Sequence, residues 1–354
     1  MFTREKTTSI GRRGVLELQR GTIQTPFFMP VGTAGAMKGL THQDILDVGA
    51  QLLLCNTYHL LLQPGDELVA NAGGLHKFID WKKPILTDSG GSQVFSLRGT
   101  NKIDNRGVHF KSHINGDPYF IGPEESMRIQ HNLGSDMIMV FDECPPSTAK
   151  RSEIQAAVDR TLRWAEKCKK VHNELKGDRE CMLFGIVQGG LERDLREKCA
   201  EELIAIGFDG YAIGGLAVGE TPDEMYSVVE TVCPILPEDK LRYLMGVGVV
   251  EQLQKCVGLG IDMFDCVLPM RIARHGTILM SDGTDIRIQN AKYINDHSIL
   301  DENSPATLGR KHSKSYLNHL FKAKERLAET IASSQNIAVT LKTMQDLRDQ
   351  MDNA

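Results

Sequence analysis

The chain has 354 residues, of which 41% are hydrophobic and 25% charged, so it can bury a large core. Its formal net charge of −5 excludes a uniformly basic nucleic-acid binder, although a local basic patch is compatible with that total. The eight cysteines are scattered without a C-x-x-C pair, and no window has the apolar length of a signal peptide core or a membrane span. We therefore expect a cytoplasmic protein with reduced cysteines and no membrane association.

The first predicted elements are a β-hairpin around Arg20-Gly21 and the strand that follows it. From there, eight apolar runs of strand length recur, at 27–31, 51–56, 84–88, 137–142, 183–188, 210–215, 241–246 and 262–267. Helical periodicity occupies most of the intervals, for example 41–48, 152–175 and 191–206. Apolar strands that alternate with helices are typical of an α/β protein with a parallel (β/α)8 TIM barrel, with a doubly wound open sheet as the alternative.

Two further hairpins and a helical C-terminal region modify this barrel. Asn115-Gly116, between alternating flanks, predicts an inserted β-ribbon at about 105–122 that lies over one mouth of the barrel. Asp282-Gly283 predicts a second hairpin after the eighth strand, and helical patterning begins at Ser313. We interpret residues 1–300 as the barrel domain with its hairpins and residues 301–354 as a C-terminal helical subdomain.

Polar side chains and glycines end most of the predicted barrel strands. Because active sites of such barrels form at the carboxyl ends of the strands, we expect these residues to converge on one pocket. They are Asn56, Asp88, Asp142, Gln188, Gly214-Gly215-Leu216, Met245-Gly246 and Asp265. Each residue by itself could instead be a cap or turn residue.

The chemistry of this set favours a purine-like base attached to a sugar. Carboxylate and amide oxygens accept hydrogen bonds from the N–H groups of such a base. Further acids on other strands could act as nucleophile and proton-transfer group at a sugar carbon, as paired carboxylates do in glycosidases. Asp265 is the first candidate, because Arg271 and Arg274 follow it and suit a polyanionic substrate. We expect cleavage of a glycosidic bond.

The motifs NTYHL, LTDSGG, SHINGDPYFIGPEESM, FDECPP, GIVQGG, YAIGGLAVGE, LMGVG and GIDMFDCVLP occur in this order along nearly the whole chain. Together they resemble the tRNA-guanine transglycosylase family of queuosine biosynthesis. The resemblance implies a modified (β/α)8 barrel, a homodimer, and a pentosyltransferase that exchanges guanine at the wobble position of GUN-anticodon tRNAs for a 7-deazaguanine. The target nucleotide would have to leave its loop to reach the pocket.

Carried over residue by residue, the resemblance gives roles to the strand-end residues. Asp265 would be the nucleophile that attacks ribose C1′ and forms a covalent tRNA intermediate, and Asp88 the general acid-base group. The base and its sugar would be bound by a larger set: Asn56, Asp142, Gln188, Gly215, Leu216 and Met245. Contacts with tRNA are expected from Arg271, Arg274, Lys311 and Lys314, although a solvated helix face is the alternative for the two lysines.

The resemblance also bears on the choice of incoming base. Cys144 and Val218 match the bacterial type, which inserts 7-aminomethyl-7-deazaguanine. The backbone of Leu216-Ala217 and the carboxylate of Glu220 would meet the aminomethyl group. We therefore favour this precursor over queuine, the base used by a salvage enzyme.

Several positions depart from the family pattern. Ser92 replaces an aromatic residue that would stack on the base, and Met270, Ile272 and His275 change the surroundings of the two arginines. The family's zinc-binding pattern C-x-C-x-x-C falls on Ser304, Ala306 and Gly309, and its histidine on about Gln335. Because these residues lack thiolate and imidazole donors, we predict no structural zinc, no other metal and no cofactor.

These departures keep other hypotheses open beside an active transglycosylase. One is a weakly active or non-catalytic partner subunit that binds tRNA. Another is an unrelated barrel hydrolase that uses paired acids, although the chain has no clustered metal ligands of the H-x-H type. Retention of Asp265, Asp88 and Asp142 favours the enzyme.

Overall fold

The structure is a computed structural model that describes residues 1–96, 101–146 and 148–354. The strands, in chain order, are β1 (Phe2–Thr7), β2 (Arg12–Leu18), β3 (Gly21–Thr25), β4 (Phe27–Met29), β5 (Leu53–Cys55), β6 (Ile85–Thr87), β7 (Lys102–Ile103), β8 (Val108–Lys111), β9 (Pro118–Ile121), β10 (Met137–Met139), β11 (Met182–Val187), β12 (Gly210–Ile213), β13 (Leu241–Leu244), β14 (Met263–Asp265), β15 (Thr277–Leu279) and β16 (Asp285–Arg287).

The α-helices, in chain order, are α1 (His42–Asp47), α2 (Thr57–Leu62), α3 (Asp66–Asn71), α4 (Leu75–Ile79), α5 (Gly91–Ser96), α6 (Pro123–Leu133), α7 (Arg151–Leu175), α8 (Arg193–Ile206), α9 (Pro222–Val232), α10 (Val250–Gly258), α11 (Leu268–Arg274), α12 (Thr307–Lys311), α13 (Lys314–Lys322) and α14 (Arg326–Asp352). The predicted helices at 41–48, 152–175 and 191–206 correspond to α1, α7 and α8. Thr41 caps α1 by accepting a hydrogen bond from the Asp44 amide.

Eight parallel strands form the centre of the fold, in the order β4-β14-β13-β12-β11-β10-β6-β5. The two end strands are joined by a parallel bridge between Val31 and Leu54, where the Gly32 amide donates to the Leu54 carbonyl at 2.7 Å. This bridge closes the sheet, so the predicted TIM barrel is confirmed. The strands are apolar throughout because side chains on both faces are buried, as in β10, where all three residues are buried.

The predicted hairpins form around the turn residues expected. Gly116, with a φ of +80°, lies in the turn between β8 and β9. This ribbon packs on α2, which follows the carboxyl end of β5: Tyr58 and Phe110 have ring centroids 5.6 Å apart. The ribbon therefore lies at the mouth where the strands end. Hairpins also join β2 to β3 and β15 to β16, whereas β1, which pairs with β2, was not predicted.

Helix α14 connects two hydrophobic clusters found among the described residues. Ile331 and Ala332 near its start pack with Ile278 of β15 in the smaller cluster. Met344 and Met351 nearer its end belong to the main barrel core. Within the described residues, even long helices such as α7 and α14 lack an apolar stretch that could cross a bilayer.

Candidate active site

Carboxylates from three different barrel strands meet at the carboxyl ends of those strands. Asp265 is the last residue of β14, Asp88 follows β6, and Asp142 lies three residues after β10. Burial raises the pKa of Asp142 and of Asp265, and the nearby charge of Asp88 raises both further. The predicted convergence of these acids is therefore present in the fold.

One oxygen of Asp265 is held by two donors. The Tyr243 hydroxyl donates to Oδ1 at 2.6 Å, and the Gly246 amide donates to the same oxygen at 3.1 Å. The pKa of Tyr243 is raised well above its ordinary value, first by burial and then by Asp265, so the phenol keeps its proton and stays a donor. Both contacts are made by Oδ1, so within the described part of the chain Oδ2 is available to a substrate. Tyr243 was missed from the sequence, because it lies inside a strand.

Asp88 accepts hydrogen bonds on both oxygens. The Thr57 amide donates to Oδ1 at 2.8 Å, while Asn56 Nδ2 and Gln93 Nε2 donate to Oδ2 at 2.6 and 2.8 Å. Burial nevertheless raises the pKa of Asp88, and these three donors lower it only in part. Such a carboxyl group can exchange a proton more readily near neutral pH than an exposed aspartate. Asn56 lies where the sequence predicts it, whereas the role of Gln93 was missed.

Asp142 and Gln188 form a buried pair next to Gly215. Gln188 Nε2 donates to Asp142 Oδ2 at 2.7 Å, and the Ser89 hydroxyl donates to Oδ1 at 3.2 Å. Burial raises the pKa of Asp142 to about 6. Gln188 Oε1 is buried without a partner among the described residues. Gly215 has a φ of +68°, and a Cβ there would lie 2.5 Å from this oxygen, so only glycine allows the loop after β12 to pack this closely on Gln188.

A buried arginine joins the two glycine-containing loops beside this pair. Arg196 donates from Nη1 to the carbonyls of Val187 and Gly214, at 2.8 and 2.7 Å, and from Nε to that of Gly190 at 2.8 Å. Burial lowers its pKa to about 10, so the group is still a cation at neutral pH. The sequence signal was a charged residue on the apolar face of α8, beside Leu195.

Comparison with known proteins places this site in a family. The family model of queuine tRNA-ribosyltransferase matches residues 6–354. The chain belongs to the queuine tRNA-ribosyltransferase family. A protein of that name from Vibrio atlanticus is 48% identical over 348 residues, 98% of this chain and 91% of its own length. One from Shouchella clausii is 49% identical over 337 residues, 95% and 88% of the two chains.

This membership of the queuine tRNA-ribosyltransferase family confirms the resemblance drawn from the motifs and the predicted enzyme class, a pentosyltransferase of the tRNA-guanine transglycosylase type. A third relative, from Clostridium perfringens strain 13, is 48% identical over 357 residues and covers 99% of this chain and 94% of its own length. The similarity therefore extends over the barrel, the ribbon and the C-terminal helices together.

The loop after β12 carries most of the residues that are predicted to select the incoming base in this member of the queuine tRNA-ribosyltransferase family. Glu220 accepts hydrogen bonds from the amides of Ala217 and Val218, the latter at 3.0 Å. Since the N–H and C=O of one peptide point in opposite directions, the Leu216 carbonyl faces away from Glu220. Cys144 is half-buried on the same side, where burial and then Asp142 raise its thiol pKa to about 12.

A cavity of about 160 Å³ opens beside this loop, lined in part by Pro145, Ile154, Gln188, Gly215, Val218 and Glu220. A larger groove of about 720 Å³ lies elsewhere, between α10, α11, the β15–β16 hairpin and α14. Because the smaller cavity includes Gln188 and Gly215, it is the one connected to the strand-end residues. Met245, half-buried, follows β13 at the same mouth of the barrel.

The position of the missing stacking aromatic is open to solvent. Ser92 is exposed in the first turn of α5. Phe95, one turn later, is engaged elsewhere, with its ring centroid 6.4 Å from that of Trp164 and 6.2 Å from that of Phe141. Ser92 therefore supplies no aromatic surface, and the Phe95 ring packs against Phe141 and Trp164.

The predicted tRNA-binding cations differ in availability. Arg271 is exposed on α11, whereas Arg274 is half-buried and donates to the Met270 carbonyl at 3.1 Å. Met270, one of the departures from the family pattern, is buried and therefore lies on the inward face of α11. Lys311 is exposed on α12. Lys314 is half-buried and lies 3.8 Å from a carboxylate oxygen of Asp296, so part of its charge is neutralised.

Among the described residues, His131, His172 and Cys181 bring potential metal donors within 4.8 Å of one another. Arg179 donates to His131 Nδ1 at 2.7 Å, and His131 Nε2 lies 3.0 Å from His172 Nδ1. Burial lowers the pKa of both rings, to about 3 and about 4. The donation by Arg179 leaves the proton on His131 Nε2, which then donates to His172. These nitrogens form a hydrogen-bonded chain at the opposite end of the barrel from the site.

Proposed function

We propose that the protein is a tRNA-guanine transglycosylase, which exchanges the wobble guanine of GUN-anticodon tRNAs for a 7-deazaguanine through a covalent bond between Asp265 and ribose C1′. One observation carries this proposal. Asp265 has one oxygen held by Tyr243 and Gly246 and the other available, in a pocket shared with Asp88 and Asp142. A carboxylate held in this way is oriented for attack on a carbon.

The proposed exchange takes two steps with balanced charges and protons. Asp265 Oδ2 attacks C1′ as the bond from C1′ to the guanine nitrogen breaks, and the base leaves with that electron pair and a proton from Asp88. The incoming base then returns a proton to Asp88 and attacks C1′, which releases Asp265 as a carboxylate. The raised pKa of Asp88, caused by burial, suits both proton transfers.

The base would be bound by the buried pair and the loop beside it. The carboxylate of Asp142 can accept from ring and exocyclic N–H groups, and Gln188 and Gly215 line the small cavity beside it. Leu216 and Met245 would supply apolar contacts with the base. Asn56 would contribute through Asp88, which it contacts at 2.6 Å.

We favour 7-aminomethyl-7-deazaguanine as the incoming base, with queuine as the alternative. An aminomethyl cation needs an acceptor, and the Leu216 carbonyl supplies one in the loop beside the small cavity. Glu220 would act through the same peptide, whose Ala217 amide it accepts from on the opposite side. Val218 lies in the same loop, and Cys144 is close enough to Glu220 for that charge to add to burial in raising the pKa of its thiol. Competition between the two bases for incorporation tests this choice, and preferential incorporation of queuine would reverse it.

The macromolecular substrate would be tRNA, with the anticodon nucleotide extruded into the pocket. Arg271 has the exposure that a phosphate contact needs, and Arg274, Lys311 and Lys314 would add to the positive surface. We further propose a homodimer without a cofactor, acting in the cytoplasm. The eight unpaired cysteines agree with a reducing compartment, and sedimentation of the purified protein measures the oligomeric state.

The decisive experiment measures incorporation of radiolabelled guanine into an unmodified GUN-anticodon tRNA. We expect incorporation by the parent protein and none by Asp265→Asn, because an amide oxygen is a poor nucleophile towards C1′. Asp285→Asn, an exposed aspartate on β16, is the matched control and should retain activity. A denaturing gel should show a protein–tRNA adduct for the parent but not for Asp265→Asn.

The same assay distinguishes the enzyme from its alternative. A folded parent protein that binds tRNA but incorporates no guanine would instead support a non-catalytic tRNA-binding subunit. Exchange by Asp265→Asn at the parent rate would exclude Asp265 as the nucleophile.

A further inference from the structure

The C-terminal region contains a buried network of hydrogen bonds between side chains far apart in sequence. The Ser304 hydroxyl donates to Gln335 Oε1 at 2.5 Å, and the Ala306 amide donates to the same hydroxyl at 3.0 Å. Gln335 Nε2 donates to Asp301 Oδ2 and to the Leu279 carbonyl, both at 2.9 Å. Asp301, Ser304 and Gln335 are at most 7% exposed. The network therefore joins α14 to the segment before α12 and to β15.

Asp301 extends the network to the β15–β16 hairpin. Its Oδ1 accepts from the Ser281 hydroxyl at 2.7 Å and from the Asn303 amide at 3.2 Å, and its Oδ2 accepts from the Ser281 amide at 2.7 Å. The polar side-chain atoms of Asp301, Ser304 and Gln335 all have partners within the described part of the chain. A buried polar network in which every member is satisfied makes its segments rigid, whereas a partly satisfied one destabilises them.

The zinc-binding pattern of the family falls on four positions within or beside this network. They are Ser304, Ala306, Gly309 and Gln335. A Cβ added to Gly309 would overlap Gln335 Oε1 and Ser304 Oγ, so three of the four positions meet at one point. The groups present there are a hydroxyl and an amide, and neither supplies the thiolate or imidazole that structural zinc takes. The Gln335 amide also occupies the space beside Gly309. The residues therefore do not fit a zinc ion.

We propose that hydrogen bonds among Asp301, Ser304 and Gln335 replace the metal, so that the C-terminal region of this protein folds without zinc. Gly309 is part of the replacement, because only a residue without a side chain leaves room for the Gln335 amide. Arg310 adds a hydrogen bond to the Ser304 carbonyl. The network connects the same elements that a metal at this position would connect.

The first test compares metal content and stability. The parent protein and Gln335→Ala should contain equal amounts of zinc by elemental analysis, and EDTA should leave the melting temperature of the parent unchanged. Gln335→Ala should lower that temperature by about 2–5 °C, because Ser304 loses its acceptor and Asp301 and the Leu279 carbonyl each lose a donor. Gln350→Ala, at an exposed position of the same helix, is the control and should change it little. One equivalent of zinc in the parent that is lost in Gln335→Ala would overturn the proposal.

The second test concerns the coupling between Gly309 and its neighbours. Gly309→Ala should lower the melting temperature in the parent background. Gly309→Ala should lower the melting temperature clearly less when it is combined with Ser304→Ala and Gln335→Ala. The two closest overlapping atoms, Gln335 Oε1 and Ser304 Oγ, are then absent, and only Ser304 Cβ, at 2.7 Å, still overlaps. Additive effects of the three substitutions would contradict the proposed arrangement.

The third test restores the metal donors. A variant with Ser304→Cys, Ala306→Cys, Gly309→Cys and Gln335→His should bind one equivalent of Co²⁺, detected by thiolate-to-metal charge-transfer absorption, whereas the parent should bind none at this position. Circular dichroism confirms that the variant is folded. A folded variant that takes up no Co²⁺ would show that these positions do not form a replaced metal site.

Discussion

At the scale of single residues, hydrogen bonds decide what each carboxylate of the site can do. Asp265 receives its two donors on one oxygen, so the other is available for reaction. Asp88 receives three donors spread over both oxygens, which orients it for proton transfer. Burial raises the pKa of both groups, and these donors lower it in part. The donors therefore set the orientation of the acids, whereas burial is the main cause of their raised pKa values.

Tyr243→Phe tests the orientation of Asp265. Losing one hydrogen bond to the carboxylate should reduce kcat by about 10- to 100-fold, with KM for tRNA nearly unchanged. Because the tyrosine hydroxyl lowers the pKa of Asp265, its loss should move the acidic limb of the pH–rate profile to higher pH. Tyr211→Phe is a control on β12, since that hydroxyl accepts a bond from the Phe208 amide. An unchanged pH profile would argue against this role for Tyr243.

Asp142 predicts a pH-dependent contribution to stability. Burial raises its pKa in the folded protein to about 6, above the value near 4 of an unfolded aspartate. Protonated Asp142 therefore stabilises the folded protein fully below about pH 4, and this stabilisation is lost as the pH rises through about 6. Asp142→Asn carries no charge, so its stability relative to the parent should increase by about 1–3 kcal/mol between pH 4 and pH 7.

Thermal unfolding of the parent and Asp142→Asn across this pH range gives the measurement. The comparison isolates Asp142 from Asp262, whose pKa burial also raises to about 6, because both proteins retain Asp262. A constant difference in stability from pH 4 to pH 7 would show that Asp142 titrates normally.

At the scale of elements, the loops that follow β11 and β12 depend on one side chain of α8. Arg196 holds the Val187, Gly190 and Gly214 carbonyls through three hydrogen bonds of 2.7–2.8 Å. Gln188 lies within the first loop and Gly215 within the second. The helix that packs outside the barrel thus positions the inner residues proposed to bind the base.

Arg196→Met should disorganise both loops while keeping an apolar side chain of similar length. Three carbonyls would lose the hydrogen bonds that Arg196 donates, which predicts a loss of about 2–4 kcal/mol in unfolding free energy and a raised KM for the free base. Arg193→Met on the exposed face of α8 is the control, and its effect should stay within about 0.5 kcal/mol. Chemical denaturation and base-dependent kinetics measure the two effects. A raised KM for Arg193→Met as well would indicate a general effect of charge.

At the scale of the whole molecule, closure of the barrel brings residues 56, 88, 142, 188, 215, 245 and 265 to one mouth. Helix α14 packs against the outside of the barrel. Its Arg348 donates to the Pro26 carbonyl, just before β4, at 2.6 Å, and its Asp352 forms an ion pair with Arg13 of β2 at 2.9 Å. The C-terminal helix and the N-terminal hairpin are therefore parts of one packed structure around the barrel.

The net charge of the whole molecule is −5, so tRNA would have to bind through local cations. Arg271→Ala should weaken tRNA binding and reduce the slope of log K against log salt concentration by about 1. Arg128→Ala, an exposed arginine on α6, should leave that slope unchanged. Titrations at several salt concentrations measure both. Equal slopes for the parent and Arg271→Ala would exclude a phosphate contact by this residue.

The sequence by itself determined the barrel and most of the strand-end residues. Buried parallel strands need apolar side chains on both faces, and this requirement is local, so eight apolar runs were visible without a structure. Asp88 and Asp265 could be located because each ends such a run. β1 was missed because Arg4, Glu5 and Lys6 conceal the pattern of a strand with one exposed face.

Only the tertiary structure decided which groups act on these residues. Tyr243 lies 22 residues before Asp265, and Ser304 lies 31 residues before Gln335. Neither pair has a periodic signal, because their contacts depend on how strands and helices close around one another. From the sequence, a serine and a glutamine at the zinc-binding positions predict only that zinc does not bind there. Their hydrogen bond, and the space that Gly309 leaves for it, follow from packing α14 against the segment before α12.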